Sequence, residues 1–327
     1  MATSIRYIFW GTPDFAATAL AGLIDAGYLP HAVVTATDKV AGRGRKLTGS
    51  PVKELALSHK IPVWQPVSLK DPEFVKRVIE ARPDFMLVVA FRMLPQSLIE
   101  IPHGGTWNLH GSLLPDLRGA APIHWAIRLG YRRTGLTVFR IQYQIDTGDI
   151  LESLPLEIPS EWNAGMLHDA MAKEGARLLV KVLPQIAKGT YQLKAQNLFS
   201  NVPNQSWNIA PKIQRTDACM DWNRDASTLV DFVRAFAPTP GAYTFLDRAR
   251  ITILEAIAEE PSGIIGDLAQ DFPIGYCLVH GNNWWVRAHH SWLRLLQIKP
   301  ENSKAMEVKA YLRGHADVNR KICSSEL

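Results

Sequence analysis

IRYIFWGTPDFAATALAGLIDAGYLPHAVVTAT, residues 5–37, is the stretch that sets the fold class. Ile5 to Trp10 is a short apolar run, broken only by Arg6, and reads as one buried strand. Gly11 turns the chain, Thr12 is placed to cap a helix, and Pro13 suits its first position, where a missing N–H costs nothing. Phe15, Leu20, Leu23 and Ile24 then recur at helical spacing up to Gly27. Val33 and Val34, within His31 to Thr37, make a second strand. A strand, a helix and a strand in that order predict an α/β protein with a doubly wound parallel sheet. The G-x-G-x-x-G fingerprint is missing, which argues against a dinucleotide site and a plain dehydrogenase.

The alternation continues downstream. Ser50 caps a helix that opens with Pro51 and runs to about His59. Ile61 to Trp64 is a short strand whose Pro62 points to a sheet edge. Asp71 to Ala81 is a helix with Phe74, Val75 and Val78 inward, and Asp84 to Val89 is a buried strand. The turn after it, Ala90 to Pro95, lies at a strand's carboxyl end, where open α/β sheets bind ligands. Between the first helices, residues 38–49 (DKVAGRGRKLTG) carry Lys39, Arg43, Arg45 and Lys46 among glycines. Such a run is more often a solvated surface loop than a phosphate-binding one, and both readings stand at this point.

The residues that carry chemistry begin at Asn108 in NLHGSLLPDLRGAAPI, residues 108–123. If Trp107 to His110 closes a strand, Asn108 and His110 project from one face, an amide donor beside an imidazole. Pro115 forbids a helix through SLLP, and RGAAP is a tight turn of small residues that lets a ligand approach the backbone. Pro122 then opens a helix from Ile123 to about Leu129. Downstream, Leu136 to Ile141 alternates as a strand, and IDTGDIL (145–151) is a turn that carries Asp146. An acid in a turn is ordinarily a cap. With Asn108 and His110, however, Asp146 completes a set of oxyanion donor, general acid/base and orienting carboxylate. That set suits acyl transfer without a covalent enzyme intermediate, and no G-x-S-x-G nucleophile motif is present.

Gly165 to Lys188 reads as one long helix, bent by Pro184 and ended by Gly189. Periodicity then fails over 190–209, the expected linker. The second domain begins near Ala210; a helix that starts at Asp225-Ala226-Ser227, with Leu229, Val233 and Phe236 inward, precedes short strands at Ala242–Phe245, Arg250–Glu255, Tyr276–His280, Trp284–Ala288 and Trp292–Ile298. Regular short strands suggest a small barrel. Trp284, Trp285, Trp292, His289 and His290 are candidates for stacking bases, with barrel core as the alternative for the tryptophans. The residues from about Asn319 read as a frayed tail.

The chain has 327 residues, a prior of about two domains. It is 47% hydrophobic and 20% charged, as globular proteins are. A net charge of +5 permits an acidic partner without requiring one. Cys219, Cys277 and Cys323 have no C-x-x-C spacing, so neither a disulfide framework nor a zinc site is expected. No apolar run approaches the roughly 20 residues that span a membrane. A cytoplasmic monomer without metal is the expectation.

NLHGSLLPDLRGAAPI followed by IDTGDI resembles the signature of the folate-dependent formyltransferases. FWGTPDFA (9–16), AGRGRKLTGSPVK (41–53), VVAFRMLP (88–95) and APKIQRTDACMDWNR (210–224) resemble more narrowly the branch that acts on methionyl initiator tRNA. The resemblance implies a Rossmann-like catalytic domain over 1–189 and a linker over 190–209. It also implies an OB-like, tRNA-binding barrel over 210–327. It implies 10-formyltetrahydrofolate as formyl donor, with catalysis by Asn108, His110 and Asp146. Contacts to the folate fall on Ser112, Leu113, Leu114, Pro115, Met93 and Leu94, and contacts to the tRNA acceptor arm on Arg43, Arg45 and Lys46. Many members carry Tyr-Gly where this chain has Phe91-Arg92. The rival acceptors are an amino sugar nucleotide, glycinamide ribonucleotide or water, and the rival class is an idle tRNA-binding protein.

Overall fold

A computed structural model describes residues 5–41, 46–196, 207–261, 272–315, 318 and 322–324. They form two compact units. The first comprises Met1–Pro122, Arg133–Glu157 and His168–Pro211; the second comprises Ile123–Arg132, Ile158–Leu167 and Lys212–Leu327.

In the first unit β1 (Tyr7–Gly11), α1 (Asp14–Asp25) and β2 (Ala32–Val34) form the expected opening, with both strands wholly buried. Thr12 does not cap α1. Pro13 holds the cap position, and the Thr12 hydroxyl instead accepts from the Ala36 N–H. Residues 38–49 are not a plain loop: β3 (Lys39–Ala41) and β4 (Lys46–Thr48) pair as an antiparallel hairpin. Its base is tied down at the end where Ser50 caps α2 (Pro51–Ser58). The Ser50 hydroxyl meets that of buried Thr35 at 2.6 Å, and Lys53 Nζ reaches Asp38 at 2.5 Å.

Next come β5 (Val63–Trp64), α3 (Pro72–Glu80), β6 (Phe85–Val89), α4 (Gln96–Ile99) and β7 (Thr106–His110). Phe74 and Val78 of α3 are buried with Trp10, Val34 and Met86, and Val75 packs against that cluster. The sheet continues, after α5 (Pro122–Arg128), with β8 (Arg133–Arg140) and β9 (Ile150–Glu157), in the order β5-β2-β1-β6-β7-β8-β9. The strands from β5 to β7 are parallel, whereas β8 and β9 are antiparallel, so the sheet is mixed rather than wholly parallel. A short return from β8 to β9 allows only antiparallel pairing. α6 (Ala164–Lys188) runs through Pro184 and ends at Gly189, whose φ is +65°. Gly175 of α6 sits so close to Leu109 that a Cβ there would strike the leucine. Leu109 therefore packs toward α6, and alternation turns Asn108 and His110 to the opposite face of β7.

In the second unit α7 (Ala226–Phe236) buries Leu229, Val233 and Phe236. Five strands follow, namely β10 (Ala242–Leu246), β11 (Ala249–Ala258), β12 (Cys277–His280), β13 (Asn283–Arg287) and β14 (Trp292–Pro300). β15 (Met306–Glu307) pairs with β14, and α8 (Val308–Leu312) and β16 (Cys323–Ser324) complete the unit. The antiparallel path β12-β13-β14-β11-β10-β16 closes where Tyr276 bridges Ile322, giving a small barrel. The expected tail thus contains a strand that pairs with Phe245 and Leu246. Trp284, Trp285 and Trp292 are all buried and so do not offer faces to a nucleic acid. His289 and His290 are exposed, their rings 3.7 Å apart.

Candidate active site

Asn108 and His110 stand at the carboxyl end of β7, opposite Phe139 and Thr137 of β8. His110 is 5% exposed, and both of its ring nitrogens face acceptors. Nε2 lies 3.0 Å from the Leu117 carbonyl, and Nδ1 lies 3.7 Å from Asp146 Oδ2. A carbonyl only accepts, so the neutral ring carries its hydrogen on Nε2 and turns its Nδ1 lone pair toward the carboxylate. A ring protonated on both nitrogens can donate to Leu117 and direct Nδ1–H at Asp146. The ring is thus held between two acceptors at the end of β7. The edge of Phe139 closes one side of the ring. Asn108 is half-buried, and its amide makes no hydrogen bond among the described residues, which leaves a donor open beside the imidazole.

The loop after His110 is folded back onto β8 by Thr137, which is fully buried. Its hydroxyl donates to the Ser112 carbonyl at 2.7 Å and accepts from Leu114 N–H at 3.1 Å. The Ser112 hydroxyl is itself committed to the Asp116 carbonyl, so Ser112 shapes the loop from within. Leu114 and Pro115 are buried and Leu113 is half-buried. Of the turn after β6, Leu94 sinks into the core cluster with Trp10, whereas Met93 is 74% exposed. Arg92 donates to the Pro66 and Val67 carbonyls and pins a neighbouring loop.

Asp146 has a φ of +51°, left-handed for a residue with a side chain. Its Oδ2 accepts from Gly119 N–H at 2.9 Å. Gly148, two residues on, could not carry a Cβ, which would fall on the Arg140 carbonyl. A Cβ on Gly119, whose φ is +126°, would also press on the Ala210 carbonyl, though less closely. The same turn exposes Tyr143 and Ile145, apolar side chains that sequence reasoning passed over. Their signal was there: apolar residues in a turn that has no core to fill.

Sequence reasoning also passed over Thr137, taken as one residue of an alternating strand, and Gln196, inside the expected linker. Gln196 bonds to the Asp146 turn and to Arg118. Burial lowers the Arg118 pKa, while the Asp146 carboxylate acts in the opposite sense. Of the basic trio, Arg43 and Arg45 lie outside the described residues, and the Lys46 backbone opens β4. Among the described residues no three His, Cys, Asp or Glu side chains gather as metal ligands would. None of the described helices is long and apolar enough to cross a membrane.

Residues 5–183 match the formyl transferase family, and residues 212–316 match the formyl transferase C-terminal domain. The methionyl-tRNA formyltransferase of Methylococcus capsulatus is 38% identical over 320 residues, which is 97% of this chain and 99% of that protein. The solved structure of WlaRD, a sugar 3N-formyl transferase, aligns with a TM-score of 0.63 at 17% identity, over 93% of this chain and 100% of its own. A HypX variant from Aquifex aeolicus aligns with a TM-score of 0.63 at 16% identity, over 96% of this chain. This chain spans about half the length of that protein, 48%. At such identities the two structures share the fold.

Proposed function

Because the chain belongs to the formyl transferase family, we propose that it transfers the formyl group of 10-formyltetrahydrofolate to the α-amino group of methionyl initiator tRNA. The observation that carries the chemistry is the convergence of the open Asn108 amide, the His110 ring and the Asp146 carboxylate at the end of β7. The choice of acceptor rests on the likeness to a methionyl-tRNA formyltransferase along almost the whole chain.

In this reaction a neutral amine attacks the formyl carbon, and the carbonyl oxygen takes up negative charge in a tetrahedral intermediate. Asn108 donates to that oxygen, and a preorganised donor acts there without reorganisation. The new C–N bond forms as the bond to the folate nitrogen breaks. The amine gives up a proton, and the leaving nitrogen takes one up. His110 serves as second donor or as the acid for the leaving nitrogen. Asp146 faces Nδ1 and orients the ring.

The folate contacts in this reading are Met93 and Leu94 with Ser112, Leu113, Leu114 and Pro115, some through backbone groups. The catalytic domain is 1–189, the linker 190–209, and the tRNA-binding domain 210–327. In this reading Arg43, Arg45 and Lys46 meet the phosphates of the acceptor arm. The enzyme works in the cytoplasm as a monomer.

The test offers 10-formyltetrahydrofolate with methionyl initiator tRNA, methionyl elongator tRNA or an amino sugar nucleotide. Formylation of the initiator species alone is the expected result. Formylation of the sugar nucleotide would keep the chemistry and overturn the acceptor. An intact folate with every acceptor would overturn both.

A further inference from the structure

We propose that Gln196 is a positioning residue, which holds Asp146 against His110; the inference rests on the formyl transfer proposed above. The Gln196 side chain is only 3% exposed and uses its full hydrogen-bonding capacity. Its amide nitrogen donates to the carbonyls of Asp146, at 2.9 Å, and Gly148, at 2.7 Å. Its amide oxygen accepts from Arg118 Nε at 3.2 Å and Nη2 at 2.6 Å. One buried amide therefore joins the turn that carries the carboxylate to the loop that carries Leu117 and Gly119. Those two residues supply the backbone groups that touch His110 and Asp146.

Three further observations give this amide a positioning role rather than a filling one. Asp146 occupies a left-handed conformation that non-glycine residues keep only where their surroundings hold them, and Gln196 bonds the carbonyl of that very residue. The segment before Gln196 is fixed alongside the turn by two backbone hydrogen bonds of 2.8 Å between Ile150 and Lys194. The chain returns at Asn208–Ala210, whose backbone bonds Leu117, Arg118 and Ala121. Both described ends of the segment expected to be a linker are thus built into the active-site loop. The gap from His110 Nδ1 to Asp146 Oδ2 is already 3.7 Å, and a small further retreat of the turn would uncouple the pair.

Gln196→Glu is the discriminating variant. It keeps the length and can accept from Arg118, but it has no hydrogen to give the two carbonyls and sets negative charge against them. Gln196→Ala removes both sides of the bridge and is made in parallel. Turnover of 10-formyltetrahydrofolate with methionyl initiator tRNA is measured for each, and the ring ¹⁵N resonances of His110 are recorded without substrates. Gln196→Glu is expected to lower kcat about tenfold to a hundredfold, because small misplacements of catalytic groups cost that much. KM for folate and tRNA should stay within about twofold, since the lost interaction acts in the transition state. The His110 resonances should move in both variants. A kcat within about twofold of the wild type, or a loss matched by the loss of folded protein with unmoved His110 signals, would overturn the inference. An inert wild type would overturn the reaction, whereas the ring resonances test the positioning of His110 whatever the acceptor.

Discussion

Strand β7 of the first unit and strands β13 and β14 of the second carry residue types that often bind ligands, and the fold treats them in opposite ways. Asn108 and His110 occupy the last positions of a parallel strand, where the ladder ends and the loop opens. The His110 ring is sealed in but fully engaged, and the Asn108 amide is left without a hydrogen bond among the described residues. Trp284 and Trp292 lie in mid-barrel, fully buried, with indole nitrogens that have no partner among the described residues. An unpaired buried N–H costs about 1–3 kcal/mol, and the barrel tolerates it because the rings bury so much apolar surface. Position along a strand, more than residue type, separates a site from a core.

Four substitutions break or sharpen that contrast. Trp292→Ala should be the most damaging, with a loss of about 3–5 kcal/mol of stability from the cavity. Denaturant unfolding would show it, and an unchanged midpoint would mean that the ring is not core. Asn108→Ala and His110→Ala should leave the midpoint nearly unmoved while turnover falls by about two to three orders of magnitude. Binding of methionyl initiator tRNA should persist in both, and an equal loss of binding would remove the division of labour. Thr137→Val joins the two regimes: it strips hydrogen bonds from Ser112 and Leu114, each worth about 1–3 kcal/mol when left unmade. Both its melting temperature and its kcat should drop.

The smallest effect is expected at Asp38. Hydrogen bonds from Gln65 and Lys53 hold its carboxyl below the ordinary value of 3.8. The stabilisation is therefore complete above that value and fades as pH falls through the lower folded-state pKa. Asp38→Asn should lose a little stability at neutral pH and none in acid, a difference that thermal melts across the acid range would detect. An unaltered melting curve at neutral pH would detach the hairpin base from this network.

Much of the site was legible because its signals are local. A period of two puts Asn108 and His110 on one face whatever the rest of the chain does. Ser50 before Pro51 marks a helix start by the same local logic, and the Ser50 hydroxyl does accept from Lys53 N–H. The β3–β4 hairpin and the strand at Cys323 were not legible, because each depends on a partner that few residues announce. Gln196 was hidden more deeply. It stands 50 residues from Asp146 and 78 from Arg118, in a stretch without periodicity.

The sequence by itself determined the strand–helix alternation, the order of the motifs, and the chemical identity of amide, imidazole and carboxylate. Those follow from side-chain period, capping and turn chemistry, which act over a few residues. Tertiary structure alone decided that β8 and β9 run antiparallel, that the tryptophans face inward, and that a backbone carbonyl and a distant glutamine orient the His110–Asp146 pair. Such pairings close long loops, at an entropic cost that only the packing of the whole unit offsets, and no local pattern records which pairing wins.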